Sequence, residues 1–337
     1  MNWERDLLPA RVEQYDPAWL DDLCLGGEVT WARLSARSPR AGKPSAGTAT
    51  PSRVMPVTIA PRIAMPTLLA AVRGIPDADM DAVEPPDPTG GAGREILALL
   101  RDRGALFFDE IVDQTHRLAS DVERGLRDLV ARGLAHADGF EGLRQLAGRR
   151  SRRRRRRRSA YGPGGMFTGT GPAGRWAPIA APPSATASGA LARDDLAERL
   201  ANTLLFRYGV VFRDLMERER FTLPWRDILK ALRRMEARGI VRGGRFVSGF
   251  VGEQYALPQA VAALRATRRK TRTGEQVYIS AVDPCNLVGI VLPGAKIVAR
   301  ADGAVLLVDG AELADQEAAG VPWPAQAPAQ PIQTGSR

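Results

Sequence analysis

The sequence predicts an α+β protein in which one supersecondary unit, three helices followed by a β hairpin, occurs twice. Apolar residues recur at spacings of three and four in several segments, which is typical of amphipathic helices. Glycines follow the first and third helix of each unit, and Gly104 and Gly133 lie 29 residues apart, whereas Gly209 and Gly239 lie 30 apart. The flanking sequences also correspond, which indicates a repeat: RGALFF (103–108) with YGVVFR (208–213), and ARGL (131–134) with ARGI (237–240).

The first complete unit covers residues 94–147. Helices are predicted over 95–102 and 107–115, and a capping box, Ser120 with Glu123, predicts the start of a third helix that ends at Gly133. A hairpin is then predicted, with strands at 134–137 and 140–146 and a turn at Asp138-Gly139.

The second unit covers residues 193–273. Helices are predicted over 195–208 and 211–218, and a third begins with Pro224 as its first residue and ends at Gly239. A tight hairpin that turns at Gly243-Gly244 follows. Three helices and then a hairpin is the order of a winged helix, in which the hairpin is the wing and the third helix contacts the major groove.

Both ends of the chain carry shorter elements. Asp16 and Pro17 predict the start of a helix that stops at Gly26-Gly27, and residues 28–34 alternate like a strand. This end of the sequence is typical of a recognition helix and wing without the preceding helices. A short strand and helix are predicted over 56–74. Four β-rich runs at 277–281, 287–292, 297–300 and 305–308 predict a small barrel or meander.

The predicted fold is therefore tandem winged-helix domains with a small C-terminal β-barrel or meander, joined by disordered linkers. Its predicted segments are a partial winged-helix remnant (1–34), a linker (35–56), a short α/β segment and linker (57–93), a winged helix (94–147), an Arg-rich disordered linker (148–192), a basic winged helix (193–273), the β-barrel or meander (274–313) and a disordered tail (314–337).

Composition excludes several classes of protein. No apolar run approaches the ~18 residues of a membrane span, and the start lacks a secretory signal. Two cysteines, Cys24 and Cys285, are too few for a disulfide framework, so we expect a cytoplasmic protein with no membrane partner. The histidines, His116 and His136, lack ligand spacing, so no metal site is predicted.

The net charge of +10 is concentrated in two places. Nine of the ten residues from 149 to 158 are arginine, and residues 193–272 contain 18 basic and 9 acidic residues. Such segments bind polyanions with strong salt dependence, although an inert, solvated linker is the alternative for the arginine tract. The candidate nucleic-acid contacts are Arg213, Arg226, Lys230, Arg233, Arg234, Arg242, Arg245 and Phe246 in the second unit, and Arg152, Arg153, Arg154 and Arg155 in the tract.

The sequence lacks a GxxxxGK[ST] phosphate loop and a DEAD or DExH box. A helicase motor is thereby excluded from this chain. No cofactor is expected, and ATP and Mg²⁺ would be required only if a separate motor protein is a partner.

Several motifs resemble the C-terminal region of large helicase-related (Lhr) proteins, which are bacterial superfamily 2 DNA helicases implicated in DNA repair. The motifs are LPARV (8–12), YDPAWL (15–20), GRW (174–176), FRYGVVFR (206–213), PWR (224–226), RRMEARG (233–239), GRFVSGF (244–250), GEQYALP (252–258) and SAVDPCNLVG (280–289).

The resemblance implies tandem winged helices, a β-barrel and association with DNA, with RNA as an alternative partner. Family members also carry two RecA-like motor domains, which have no counterpart here, so unwinding is not carried over. A separate motor or a second copy of the chain is a further candidate partner. Glycosylase activity is attributed to some members, and the resemblance makes a winged-helix DNA glycosylase the alternative function; Asp283 and Glu253 are the carboxylates that such a reaction would use. Asp283 is equally explained as a turn residue.

Overall fold

The computed structural model describes residues 3–34, 57–74, 85, 87–88, 90–147, 171–179, 193–216, 219, 221–292, 294–295, 297–298, 303–312 and 321–322. The chain divides into two compact units. The first contains residues 16–184, and the second contains residues 2–15 together with 185–337. Residues 1–34, predicted as one remnant, are therefore divided between the two units. The predicted linker 35–56 lies outside the described residues.

The first unit begins with the predicted short helix and strands. Helix α1 (Pro17–Leu25) starts at Asp16, whose Oδ1 accepts a hydrogen bond from the Ala18 amide at 2.9 Å, and it ends at Gly26. Strand β1 (Val29–Ala32) pairs antiparallel with β2 (Thr58–Pro61), and helix α2 (Met65–Arg73) follows.

The first complete winged helix follows in the same unit. It contains α3 (Gly91–Arg103), β3 (Leu106–Phe107), α4 (Phe108–Thr115), α5 (Ala119–Arg132), β4 (Ala135–Ala137), α6 (Phe140–Leu146) and β5 (Arg175–Pro178). Its three strands are ordered β3-β5-β4.

Two predictions for this domain are wrong. The residue that caps α5 is Leu118, without a side-chain cap, so the Ser120–Glu123 capping box does not form. Residues 140–146 form α6 instead of a strand, because Asp21 on α1 accepts hydrogen bonds from the Phe140 and Glu141 amides at 2.9 and 2.8 Å and thereby caps that helix.

The strand that pairs with β4 comes from residues predicted as a linker. In β5, Trp176 is fully buried between β3 and β4. Along the sequence, the arginine tract falls between α6 and β5. Residues 148–170 and 180–192 of the predicted linker lie outside the described residues.

A buried guanidinium joins α2 to the end of α5. Arg73 donates hydrogen bonds to the carbonyl oxygens of Leu34, Arg33 and Gly133 at 3.0, 3.1 and 2.7 Å, and burial lowers its pKa to about 10. Gly133 has φ +71°, and a Cβ there would lie 2.5 Å from the Arg33 carbonyl oxygen. Glycine is therefore required at this helix terminus, both for its conformation and for the close approach of the backbone.

The second unit repeats the winged-helix topology. It contains α7 (Arg193–Tyr208), β6 (Val210–Val211), α8 (Arg213–Met216), α9 (Trp225–Ala237), β7 (Arg242–Gly244), β8 (Gln254–Ala256) and α10 (Pro258–Arg269). The strand order, β6-β8-β7, matches that of the first domain. The inward face of α9 is formed by Ile228, Leu232 and Met235, all fully buried as the apolar spacing predicts.

The wing differs from the predicted tight hairpin. Gly243 and Gly244 lie within β7 and pair with Tyr255 and Gln254, so the loop spans residues 245–253. Pro224 is the N-cap of α9 and not its first residue. The predicted helix over 211–218 is shorter, because Val211 pairs with Tyr255 as a strand; residues 217–218 lie outside the described residues.

The C-terminal β region forms an open sheet in the described residues, with no closed barrel. Strand β10 (Gly303–Val308) pairs antiparallel with β9 (Gln276–Ser280), β11 (Ala311–Glu312) and β12 (Val321–Pro322). The predicted strand at 287–292 consists of turns with one isolated bridge between Val288 and Leu292. Residues 297–298 are not a strand, and residues 299–300 and 323–337 lie outside the described part.

None of the helices in the described ranges combines the length and apolar character needed to cross a bilayer.

Candidate nucleic-acid interface

The N-terminal half of α9 presents two loosely paired cations. The side chains of Arg226 and Lys230 are 73% and 65% exposed. Their nearest carboxylate oxygen is Asp227 Oδ1, at 3.8 and 3.9 Å, which is too long for a hydrogen bond. Asp227 is held instead by Arg193, whose Nη2 and Nε donate to Oδ2 at 2.8 and 2.9 Å. Arg226 and Lys230 are therefore available for phosphate contacts.

The C-terminal half of α9 is different, because its arginines bind carboxylates of the same domain. Arg233 donates to both oxygens of Glu253, at 2.7 and 3.2 Å. Arg234 binds Asp194 at 3.2 Å. Arg238 binds Glu198 at 2.7 Å. Exposed pairs of this kind contribute little to stability because water screens them, so they are exchangeable, but a phosphate has to displace an acidic side chain to reach these arginines.

Glu253, one of the two candidate catalytic carboxylates, lies at the end of the wing loop and forms an ion pair with Arg233. The hydrogen bond from Arg233 lowers its pKa, and the Tyr255 hydroxyl, at 2.9 Å, lowers it further. The side chain is thus an ionised hydrogen-bond acceptor, which makes it a poor proton donor. Its role in this geometry is to bind Arg233.

The wing carries the remaining candidates of this unit. Arg242 and Arg245 are exposed and have no ion-pair partner among the described residues. Phe246 is partly buried and packs against the core formed by Val210, Phe212 and neighbouring apolar residues. Its ring therefore contacts the domain itself, and it is not presented to a base. Arg213 is exposed at the first residue of α8.

Gln254, which sequence reasoning missed, fixes the shape of the wing loop. Its side chain is fully buried. Oε1 accepts hydrogen bonds from the Phe246 and Val247 amides, and Nε2 donates to the Val247 carbonyl oxygen, all at 2.8 Å. The motif offered a partial signal, since Gln254 lies two positions before the apolar Ala256 and so shares its face of the strand, where a polar side chain requires hydrogen-bond partners.

Asp283, the other candidate catalytic carboxylate, is 3% exposed and binds Arg11 through two 2.8 Å hydrogen bonds. Its Oδ1 also accepts from the Cys285 amide at 2.8 Å, the geometry of an Asx turn. Burial raises the pKa of Cys285, and the hydrogen bond from Arg11 to Asp283 raises the pKa of Arg11. The interpretation of Asp283 as a turn residue is confirmed, and both of its carboxylate oxygens accept hydrogen bonds.

The first winged helix offers fewer unpaired cations. On α5, Arg124 binds Asp121, Arg127 binds Glu123, and Arg132 binds Asp128, each one helical turn away. The candidates Arg152, Arg153, Arg154 and Arg155 lie outside the described residues, in the connection between β4 and β5. Within the described ranges, no group of three or more His, Cys, Asp or Glu side chains has the arrangement of a metal site.

Comparisons with known proteins identify winged-helix sequences in two parts of this chain. Family models for winged-helix domains of the large helicase-related protein match residues 190–276, the fourth such domain, and residues 1–46, the third. The chain is 28% identical to "Lhr helicase/uracil glycosylase" of Escherichia coli (strain K12), over 92% of this chain. It is also 28% identical to "Lhr helicase/ probable uracil glycosylase" of Mycolicibacterium smegmatis, over 90% of this chain. The chain spans about 20% of the length of each relative.

Proposed function

Because the chain carries winged-helix domains of the large helicase-related family, we propose that it binds DNA. The observation that carries the proposal is the second domain, where a complete winged helix presents exposed cations on both its third helix and its wing. Arg226 and Lys230 occupy the helix, and Arg242 and Arg245 occupy the wing. These are the two elements with which winged helices contact nucleic acid.

The chemistry favours contact with the sugar–phosphate backbone. Guanidinium and ammonium groups bind phosphate oxygens and release counterions, which produces affinity without sequence preference. The buried stripe of Ile228, Leu232 and Met235 fixes the rotation of α9 on the domain, so that the exposed face is held in one orientation. RNA would meet the same cations and is the alternative nucleic acid.

The proposed cellular role is that of an accessory DNA-binding protein in repair. No motor motif occurs in these 337 residues, so unwinding is not proposed for them, and ATP and Mg²⁺ would be required only if a separate motor is a partner. Self-association is a further proposal. It is tested by measuring the mass of the chain in solution under the conditions of the binding experiments.

Two variants on one helix test the proposal. We expect Arg226→Gln with Lys230→Gln to weaken binding to a labelled duplex about tenfold and to reduce the slope of log Kd against log salt by about 2, because two phosphate contacts are lost. Fluorescence anisotropy of the full chain at several salt concentrations measures both quantities.

The matched control is Arg233→Gln with Arg234→Gln, which removes the same charge from cations already bound to Glu253 and Asp194. We expect a smaller loss of affinity from it. If the native chain binds neither DNA nor RNA at low salt, the proposed function is wrong. If the two double variants behave identically, the assignment of the contact to the first half of α9 is wrong.

The alternative proposal is a DNA glycosylase that acts on damaged bases. It is favoured by the names of both relatives, which include uracil glycosylase. Incubation with a uracil-containing oligonucleotide, followed by alkaline cleavage of abasic sites, tests it. Cleavage at the uracil position supports the alternative, and intact strands at protein excess contradict it.

A further inference from the structure

Helix α10 is attached to the second winged helix by its first turn alone. It begins directly after β8, where the Leu257 amide donates to the Gly209 carbonyl oxygen at 3.0 Å. A Cβ placed on Gly209 would lie 2.9 Å from the Ala260 Cβ, so the two backbones approach closely. Among the twelve residues of α10, all of them described, Val261 is the one that is buried. The later turns of the helix are therefore exposed.

The exposed part of α10 carries an unbalanced positive charge. Residues 258–274 contain five cations and no acidic residue; the cations are Arg265, Arg268, Arg269, Lys270 and Arg272. All five are exposed, and none has an ion-pair partner among the described residues. On α9 together with its C-cap residue Arg238, by contrast, three of five cations bind a carboxylate of the domain at 3.2 Å or less.

The spacing of these cations places them along one surface. Arg265, Arg268 and Arg269 stand at positions i, i+3 and i+4, which share a face of a helix. Cations in the last turn interact favourably with the helix dipole, but Arg265 precedes that turn and Arg272 follows it. Helix stabilisation therefore does not explain the whole set, and a bound polyanion would relieve the mutual repulsion of these cations.

We propose that α10 and residues 270–272 form a second DNA-backbone contact surface, separate from α9 and the wing. The inference rests on the proposed function and extends it to residues that the winged-helix pattern does not predict. The surface has the chemistry for a regular polyanion: its guanidinium groups occur at helical spacing, and Leu264, 45% exposed, is the one exposed large apolar side chain of α10. A protein partner generally requires an apolar centre, which α10 lacks.

The test compares three full-length variants with the native chain. Arg265, Arg268 and Arg269 are replaced together by glutamine in the first and by lysine in the second, which keeps the charge. The third is a matched control in which three exposed arginines of other helices, Arg94, Arg101 and Arg199, are replaced by glutamine. Anisotropy with a duplex too long for one winged helix is recorded across a salt series.

We expect the α10 glutamine variant to lose affinity on the order of tenfold and to reduce the salt slope by about 2–3, as three phosphate contacts would. The lysine variant should retain most of the affinity, and the control should bind like the native chain. Native-like binding by the α10 glutamine variant overturns the inference, and so does an equal loss in the lysine variant or in the control. Native-like DNA binding by the α10 glutamine variant, together with a loss of polyglutamate binding in that variant alone, would overturn the inference and assign the surface to an acidic protein.

The outcome separates this inference from the proposed function. If only the α9 variant loses affinity, the proposed function stands and the α10 surface is wrong. If the native chain shows no salt-sensitive binding, the proposed function itself is wrong.

Discussion

Arg11→Ala is expected to destabilise the second unit by about 2–4 kcal/mol. The substitution leaves the Asp283 carboxylate, 3% exposed, with the amide and the thiol of Cys285 as its neighbouring donors and without a charged partner. Removing one partner of a buried ion pair typically costs ~3–5 kcal/mol because the other charge is left uncompensated. We expect a somewhat smaller cost than that range, since the Arg11 side chain is 34% exposed and is partly screened by water.

The measurement has to resolve one unit of a chain that contains two. Hydrogen exchange of the β9 and β10 amides is suitable, because the Asp283 turn directly follows β9 and the Ala281 amide bonds the Gly303 carbonyl oxygen at 2.9 Å. We expect faster exchange there in Arg11→Ala and Asp283→Ala, and unchanged exchange in α3 and α5 of the first unit.

A double-mutant cycle distinguishes the ion pair from general disruption. With both side chains absent, no charge is left buried, so Arg11→Ala with Asp283→Ala should be less destabilised than the sum of the single variants. Strict additivity would contradict the proposed coupling. Arg234→Ala is the control, because Arg234 and its partner Asp194 belong to the same unit and both of their side chains are exposed.

The same variants decide what a loss of glycosylase activity would mean. If uracil excision is observed and Asp283→Ala abolishes it, a catalytic role and a folding role give the same result. Arg11→Ala separates them, since Arg11 positions Asp283. Loss of excision in both variants, together with faster exchange in β9, would indicate a folding role for the carboxylate.

The repeated topology was predictable because it depends on local signals. Gly104, Gly133, Gly209 and Gly239 all have positive φ, between 71° and 83°, at the helix ends where the sequence places them. Glycine adopts this conformation without steric cost, so a glycine in the sequence indicates where the backbone can take a positive φ and end a helix. The spacing of the apolar residues of α9 is also a local signal, and it predicts which face of that helix packs against the domain.

Features that depend on distant residues were not predictable. Residues 140–146 carry a pattern compatible with a strand, and they form a helix because Asp21, more than a hundred residues earlier, caps it. Trp176 supplies the missing strand from beyond the arginine tract. The pairing of Arg11 with Asp283 spans 272 residues and leaves no local signal.

The ion pairing of the candidate interface arginines was likewise not predictable from the sequence. The sequence identifies Arg233 and Arg234 as cations of the third helix, but the carboxylates that bind them come from the wing loop and from α7. Whether a surface arginine is available or paired depends on packing between elements. The structure therefore divides a group of candidates that the sequence treats as equivalent.

Gln254→Ala is expected to disorder the wing loop and to weaken DNA binding through the wing. The substitution removes three hydrogen bonds and leaves the Phe246 and Val247 amides without their acceptor. An unsatisfied buried polar group costs about 1–3 kcal/mol, and entry of water into the part-buried loop reduces the total to about 2–4 kcal/mol. The loop between β7 and β8 should then exchange and be cleaved by protease more rapidly.

The effect on function follows from the position of Arg245. Its backbone precedes the Phe246 amide that Gln254 holds, so a disordered loop no longer presents this cation at a fixed place. We expect the affinity for DNA to fall about as much as in Arg245→Gln, with α9 unchanged in hydrogen exchange. Gln259→Ala, at an exposed glutamine in the first turn of α10, is the matched control.

Gln254→Glu refines the argument, because glutamate retains the acceptor and loses the donor. In this variant the Phe246 and Val247 amides keep an acceptor, whereas the Val247 carbonyl oxygen faces a carboxylate. We therefore expect hydrogen exchange in the loop to be intermediate between that of the native chain and that of Gln254→Ala. Native-like exchange and DNA binding in Gln254→Ala would show that the packing of Phe246 and Phe250 suffices to hold the wing. In that case the buried amide would not determine the shape of the loop.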